Sequence, residues 1–196
     1  AFYDMKSSLL KVGGVDVIKS ADAFIYTKDG NIEIEPGGAM KKLENARILA
    51  DTVSKYHTID SATVEIIGKK LYKATGYYQY NIAGYEQEVF FDNIVGQRFG
   101  PGAAIKKNVK TTASGVIPEE QNFRLGIKTF YKGDIILSAD KQNLRFEGYG
   151  KLDAPKLPGQ EWFTLRSEVD KNDPLVEIRK TKNPDDEPLV TGFFLG

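Results

Sequence analysis

Residues 18–35 read IKSADAFIYTKDGNIEIE, and residues 136–147 read ILSADKQNLRFE. Both open on Ile-x-Ser-Ala-Asp, cross a polar gap, and reach an Asn followed by alternating apolar and charged residues. A third copy of the opening stands at residues 59–68, IDSATVEIIG. Successive side chains of an extended chain point to opposite faces. In NIEIE this puts Ile32 and Ile34 on one side and Glu33 and Glu35 on the other.

The same period of two recurs along the chain. Val64 and Ile66 oppose Thr63 and Glu65; Leu144 and Phe146 oppose Arg145 and Glu147; Val176 and Ile178 oppose Glu177 and Arg179. Each reads as a strand with one dry and one wet face. Asp29-Gly30 predicts a tight hairpin, because glycine accepts the positive φ such a turn needs. Helical spacing is weak, its best instance being residues 37–51, GGAMKKLENARILAD, where one turn at most is expected. The predicted fold is all-β, an antiparallel β-solenoid or β-jelly-roll or a β-sandwich, with very little helix. Residues 1–91 form a first β half carrying the Ile-x-Ser-Ala repeats, and residues 122–196 a second half, the two making one continuous core if the repeat runs through. Between them, residues 92–121 lose the alternation and are rich in Gly and Pro, which predicts an irregular excursion.

The repeat has a physical reading. A small Ala suits a strand end that turns a corner, and the Asp after it accepts backbone N–H groups in an Asx-turn. Stacked units would repeat that corner at each level. Ala21–Asp22, Asp29–Gly30, Ile32, Ile34 and Ala50–Asp51 set out such a unit over residues 18–81. That stretch resembles the OstA/LptA-type repeats of Gram-negative lipopolysaccharide-transport proteins. The resemblance implies a periplasmic β-jelly-roll or open solenoid whose interior handles acyl chains.

Composition narrows the function. Lys plus Arg and Asp plus Glu number 27 each, a balance that argues against nucleic acid as a partner. With no cysteine, disulfides, thiol catalysis and cysteine-ligated metals are excluded, and a single histidine leaves no basis for structural zinc. No apolar run is long enough to span a membrane as a helix. The chain begins at Ala1 and ends on TGFFLG, as expected of an excised domain or a trimmed mature protein.

Few residues carry chemistry on their own. His57 reads as a turn or surface residue rather than a general base. Asp170, Asn172 and Asp173 are hard-oxygen candidates for a cation, as are Asp185, Asp186 and Glu187, but neither group follows a calcium-loop spacing, and solvated turns are the better reading. The glycines between 96 and 102 lack the lysine of a phosphate loop and are read as points of backbone flexibility. Residues 70–91 are rich in tyrosine. Tyr78 and Tyr80 share one strand face, Tyr77 lies on the other, and Tyr85 and Trp162 could join them on a sugar ring; strand-forming core aromatics are the competing reading. No cofactor is implied. The leading expectation is a non-catalytic module of a secreted, periplasmic or cell-envelope protein. It would act as a scaffold or interaction surface that docks other domains or repeats through sheet edges, with lipopolysaccharide handling as its specific form. The alternatives are a carbohydrate-binding module using Tyr77, Tyr78, Tyr80, Tyr85 and Trp162, and a glycan hydrolase.

Overall fold

The computed structural model describes residues 1–4, 8–82, 84–100, 108–154 and 161–170. Their regular elements are antiparallel strands and one 3-10 turn, Glu119–Gln121, so the all-β antiparallel expectation holds. No helix among these residues is long and apolar enough to cross a membrane. The chain divides into two compact units. The first comprises Ala1–Gln79, Glu88–Gly115 and Leu137–Gln142; the second comprises Tyr80–Gln87, Val116–Ile136 and the described part of Asn143–Gly196.

In the first unit a small sheet is ordered β1 (Phe2–Asp4), β2 (Leu9–Gly13), β5 (Asn31–Ile34). A larger one runs through β3 (Val17–Ser20), β4 (Ala23–Tyr26), β6 (Leu43–Ala50), β7 (His57–Gly68), β8 (Leu71–Gln79), β9 (Glu88–Arg98) and β10 (Val109–Ile117), in that order. The last two residues of β10 belong to the second unit. Asp29-Gly30 does not close a β4–β5 hairpin: β4 pairs with β3 and β6, whereas β5 pairs with β2. Thr27 Oγ1 and Asp29 Oδ1 accept the N–H groups of Gly30 and Asn31, and Gly30 sits at φ +71°. These bonds steer the chain out of one sheet and into the other.

The weak helical spacing at 37–51 also belongs to a strand, β6. Leu43, Ala46, Ile48 and Ala50 all face the core, with a register shift between Leu43 and Ala46 and with Asn45 at φ +54°. A bulge inserts one residue and turns a spacing of two into three, which mimics a helix turn. Ile48 faces Ile59 across the ladder, both fully buried, each contributing roughly 1.5–3 kcal/mol.

Residues 92–121 hold the second part of β9 and all of β10. Along β10 the inward residues are Thr111, Ala113, Gly115 and Ile117, a buried face without the hydrophobic alternation expected of one. Gly96 serves packing rather than flexibility. A Cβ there would lie 2.0 Å from the ring of the fully buried Tyr72.

The second unit contains β11 (Arg124–Gly126), β12 (Thr129–Ser138), β13 (Leu144–Leu152) and β14 (Phe163–Val169), with β13 between β12 and β14 and β11 on the start of β12. The last two residues of β12 belong to the first unit. Tyr80, Phe123, Tyr131 and Phe146 form its aromatic core, with ring centres 5.1–6.5 Å apart. Tyr131 donates to the Asp134 carbonyl at 2.6 Å, in space left by the paired Gly133 and Gly148. The strand expected around Val176 and Ile178 lies outside the described residues.

The repeated motif takes two forms. After β3 and after β12, Ser-Ala-Asp turns the chain at a strand end, whereas the copy at Ile59 runs through β7, with Ser61 at φ +48° on a register shift. The Ala50-Asp51 end of β6 is a third corner. Asp51 Oδ1 accepts the Val53 N–H at 2.9 Å, and Ser54 Oγ lies 2.6 Å from Asp51 Oδ2 and 3.1 Å from the Ala139 carbonyl. Burial pulls the Asp51 and Asp140 carboxyls upward. Bonds from Ser54 and Val53 at Asp51, and from Lys110 and Ser138 at Asp140, outweigh it and hold both below the usual range. A carboxylate whose folded pKa is depressed adds stability above its unfolded value, about 3.9, and loses it as pH falls through the folded one. The melting temperature should therefore decline below about pH 4. Asp51→Asn keeps an acceptor for Val53 and tolerates the φ of +60°. It should make that decline shallower; melts across the acid range that match the parent's would remove Asp51 from the account.

Candidate functional site

On β8, Tyr72, Ala74, Gly76 and Tyr78 face inward, so Lys73, Thr75, Tyr77 and Gln79 face out. Tyr77 pairs across the ladder with Phe90 of β9. The two rings lie 5.1 Å apart, tilted by 50°, and the residues are 41% and 45% exposed. Polar pairs are formed on the flanking residues: Arg47 Nε with Asp60 at 2.6 Å, Gln79 with Glu88, and Asn93 with Ser114 at 3.3 Å. Strands β7 and β10 support β8 and β9 from either side, so the aromatic faces are held by backbone ladders rather than by loops.

Tyr78 sits on the opposite, buried face. Its hydroxyl is 3.1 Å from His57 Nδ1, and His57 Nε2 is 2.6 Å from the Lys141 carbonyl. A carbonyl only accepts, so Nε2 carries a proton; in the neutral ring Nδ1 then accepts from the tyrosine hydroxyl. Burial pushes the Tyr78 hydroxyl up to about 12. His57 is 1% exposed; the surface position expected of it gives way to a core position fixed by two polar partners.

Tyr80 is likewise in the core, that of the second unit, so Tyr78 and Tyr80 present no face to a ligand in this structure. Tyr85 is 42% exposed and lies on Arg124, whose guanidinium carbon is 4.5 Å from its ring centre and 4.3 Å from that of Phe130. Arg124 also pairs with Asp153 at 2.8 Å. Trp162 is half-buried beneath Lys132, at 4.5 Å. The five aromatic candidates thus separate into an outward pair partner on the first unit, two core residues, and two ring–cation contacts on the second.

The chain matches no protein-family model, no curated protein and no solved structure. Its functional reading rests on its own geometry.

Asp170 is half-buried at the end of β14, while Asn172, Asp173, Asp185, Asp186 and Glu187 lie outside the described residues. Among the described residues no group of three or more His, Asp or Glu is placed to hold a metal. A cleft of about 280 Å³ in the first unit is lined by Asp29, Asn31, Glu33, Lys41, Glu44 and their neighbours. Glu33 there is paired with Lys11 and Lys41, so its carboxylate is already engaged within the protein.

Sequence reasoning missed Phe90 as the partner of Tyr77, and missed Arg124, Lys132 and Lys151 as cations lying on aromatic faces. Val89, Phe90 and Phe91 are consecutive apolar residues, so hydropathy alone does not mark which of them faces out. The cations depend on contacts distant in sequence.

Proposed function

We propose that the chain is a non-catalytic binding module that lays a saccharide on the Tyr77–Phe90 pair. The carrying observation is that pair: two exposed rings on adjacent strands, with amide, carboxylate and guanidinium groups on flanking residues. A pyranose offers C–H faces to aromatic rings and hydroxyls to such a rim. Rings on paired strands lose little freedom on binding, which favours affinity.

A secreted or cell-envelope setting belongs to the same proposal, with lipopolysaccharide as one saccharide-bearing ligand and a solenoid or sandwich as the architecture. A second reading is docking of other β domains along β3, which ends the strand order of the first unit and pairs with β4 alone among the described strands.

The test is a thermal-shift screen against neutral and acidic oligosaccharides and lipid A. Ligand at about 100 times Kd adds about 2.7 kcal/mol, several degrees for a chain of this length. The shift should vanish in Tyr77→Ala and Phe90→Ala while their unliganded melting temperatures stay near the parent's. A shift that both variants keep would end the assignment to this pair.

A further inference from the structure

On the outward face of the second unit, Lys132 of β12 pairs with Tyr149 of β13, and Lys151 pairs with Phe130. Trp162, just before β14, completes the patch. Lys132 Nζ lies 4.5 Å from the Trp162 ring centre and 5.9 Å from that of Tyr149, and Lys151 Nζ lies 5.8 Å from Trp162. Into this group the 3-10 turn delivers a carboxylate: Glu119 Oε2 is 2.7 Å from Lys132 Nζ. The Trp162 side chain and the charge of Lys151 both favour the ionised form of the same carboxylate. Groups from three separate segments thus converge on one carboxylate that the chain itself supplies. The Glu119 side chain is 55% exposed whereas that of Lys132 is 25% exposed. The receiving side is therefore the more buried and fixed, and the occupant the more exchangeable. Exposed ion pairs of this kind hold weakly.

We propose that this is a binding site for the carboxylate of an acidic saccharide, which Glu119 fills in the free protein and vacates for the ligand. The two ammonium groups and the indole N–H take the ligand's carboxylate, and the rings of Trp162 and Tyr149 take its sugar faces. A saccharide fits better than an acidic peptide strand. The site straddles β13, which is paired on both sides by β12 and β14, and strand addition requires a free edge. The proposal is independent of Tyr77 and Phe90, which lie in the other unit.

Trp162 is the chain's single tryptophan, so its intrinsic emission reports on this site directly. The full chain would be titrated with trigalacturonate, and in parallel with neutral maltotriose and with poly-glutamate at matched ionic strength. Trigalacturonate should change the emission saturably, with affinity falling as salt rises, and maltotriose should not. Lys132→Met or Lys151→Met should abolish or weaken the response, with melting curves confirming that the variants fold. Glu119→Gln removes the internal competitor and should tighten binding by roughly three- to tenfold, because apparent affinity is reduced by the fraction of sites already filled. Absence of a saturable response in both the parent and Glu119→Gln would overturn the proposal. So would a Glu119→Gln variant that binds equally or more weakly. An equal response to poly-glutamate would overturn the saccharide assignment and give the site to acidic peptides.

Discussion

Gly96→Ala is expected to cost about 3 kcal/mol or more, although it adds only one methyl group. That methyl would sit 2.0 Å from Cε1 and 2.5 Å from Cδ1 of Tyr72. The ring has nowhere to go, being fully buried with its hydroxyl 2.8 Å from Thr111 Oγ1. Overpacking typically costs about 1–3 kcal/mol when neighbours can yield, and this contact is with a rigid ring. The loss corresponds to roughly 10 °C in melting temperature for a chain of this size. Gly68→Ala is the control: a Cβ there meets nothing within 4 Å and Gly68 needs no positive φ, so its effect should stay within about 0.5 kcal/mol. Trimming the ring with Tyr72→Val is itself costly, yet the double variant should be more stable than the sum of the two losses, by roughly 0.5–3 kcal/mol. Urea unfolding of the four variants measures this. Strict additivity would mean that Gly96 and Tyr72 do not share the space that the structure gives them.

Gly96 also shows where the sequence was hard to read. It stands beside Gly100 and Gly102, and glycines in a cluster suggest a loop. In the fold, Gly96 is a strand residue whose missing side chain is replaced by a tyrosine from the neighbouring strand. Strands such as β5, the second half of β7 and the start of β13 were legible because their alternation is unbroken. β6 was not, since its bulge at Asn45 moves the inward residues from a spacing of two to three. β10 was not, since a buried face of Thr, Ala and Gly carries almost no hydropathy signal. In each case the missing information is the identity of the partner strand, which local pattern does not contain.

The candidate surface was legible to the same depth. Alternation separated Tyr77 from Tyr78, and only burial could tell which of the two faces was wet. His57 has a core position because Tyr78 and the Lys141 carbonyl satisfy both ring nitrogens; nothing near it in sequence announces either partner. The carboxylate site of the second unit joins Trp162, which the sequence offered as a sugar-facing aromatic, to Glu119, Lys132 and Lys151, which nothing in the sequence marks. Meaning arises from their meeting on one face.

Asp22→Ala is expected to destabilise the protein by about 3 kcal/mol or more, whereas Asp60→Ala should have a far smaller effect, although both lie in copies of the same opening stretch, Asp22 after its Ala and Asp60 at its variable second position. Asp22 Oδ2 accepts the Thr111 N–H at 2.9 Å, and its other oxygen accepts from Thr111 Oγ1. Thr111 is fully buried, and its hydroxyl lies within 2.8 Å of the Tyr72 hydroxyl. Its carbonyl accepts the Ala139 N–H at 3.0 Å. Removing the carboxylate leaves two buried donors without that acceptor, at about 1–3 kcal/mol each, in a network that ties the corner after β3 to the corner after β12. Asp60 instead faces outward on β7 and pairs with an exposed Arg47, where water replaces the lost partner. Asp22→Asn separates charge from geometry, since its amide oxygen can serve one of the two donors, and its loss should fall between those of the alanine variants. Urea unfolding at neutral pH reads all three. Equal, small losses for Asp22→Ala and Asp60→Ala would mean that Asp22 is a surface turn residue rather than a buried tie. A large loss confined to Asp22 would show that two similar stretches of sequence were put to different structural uses, one as a buried tie between corners and one as a bulged, solvent-facing strand.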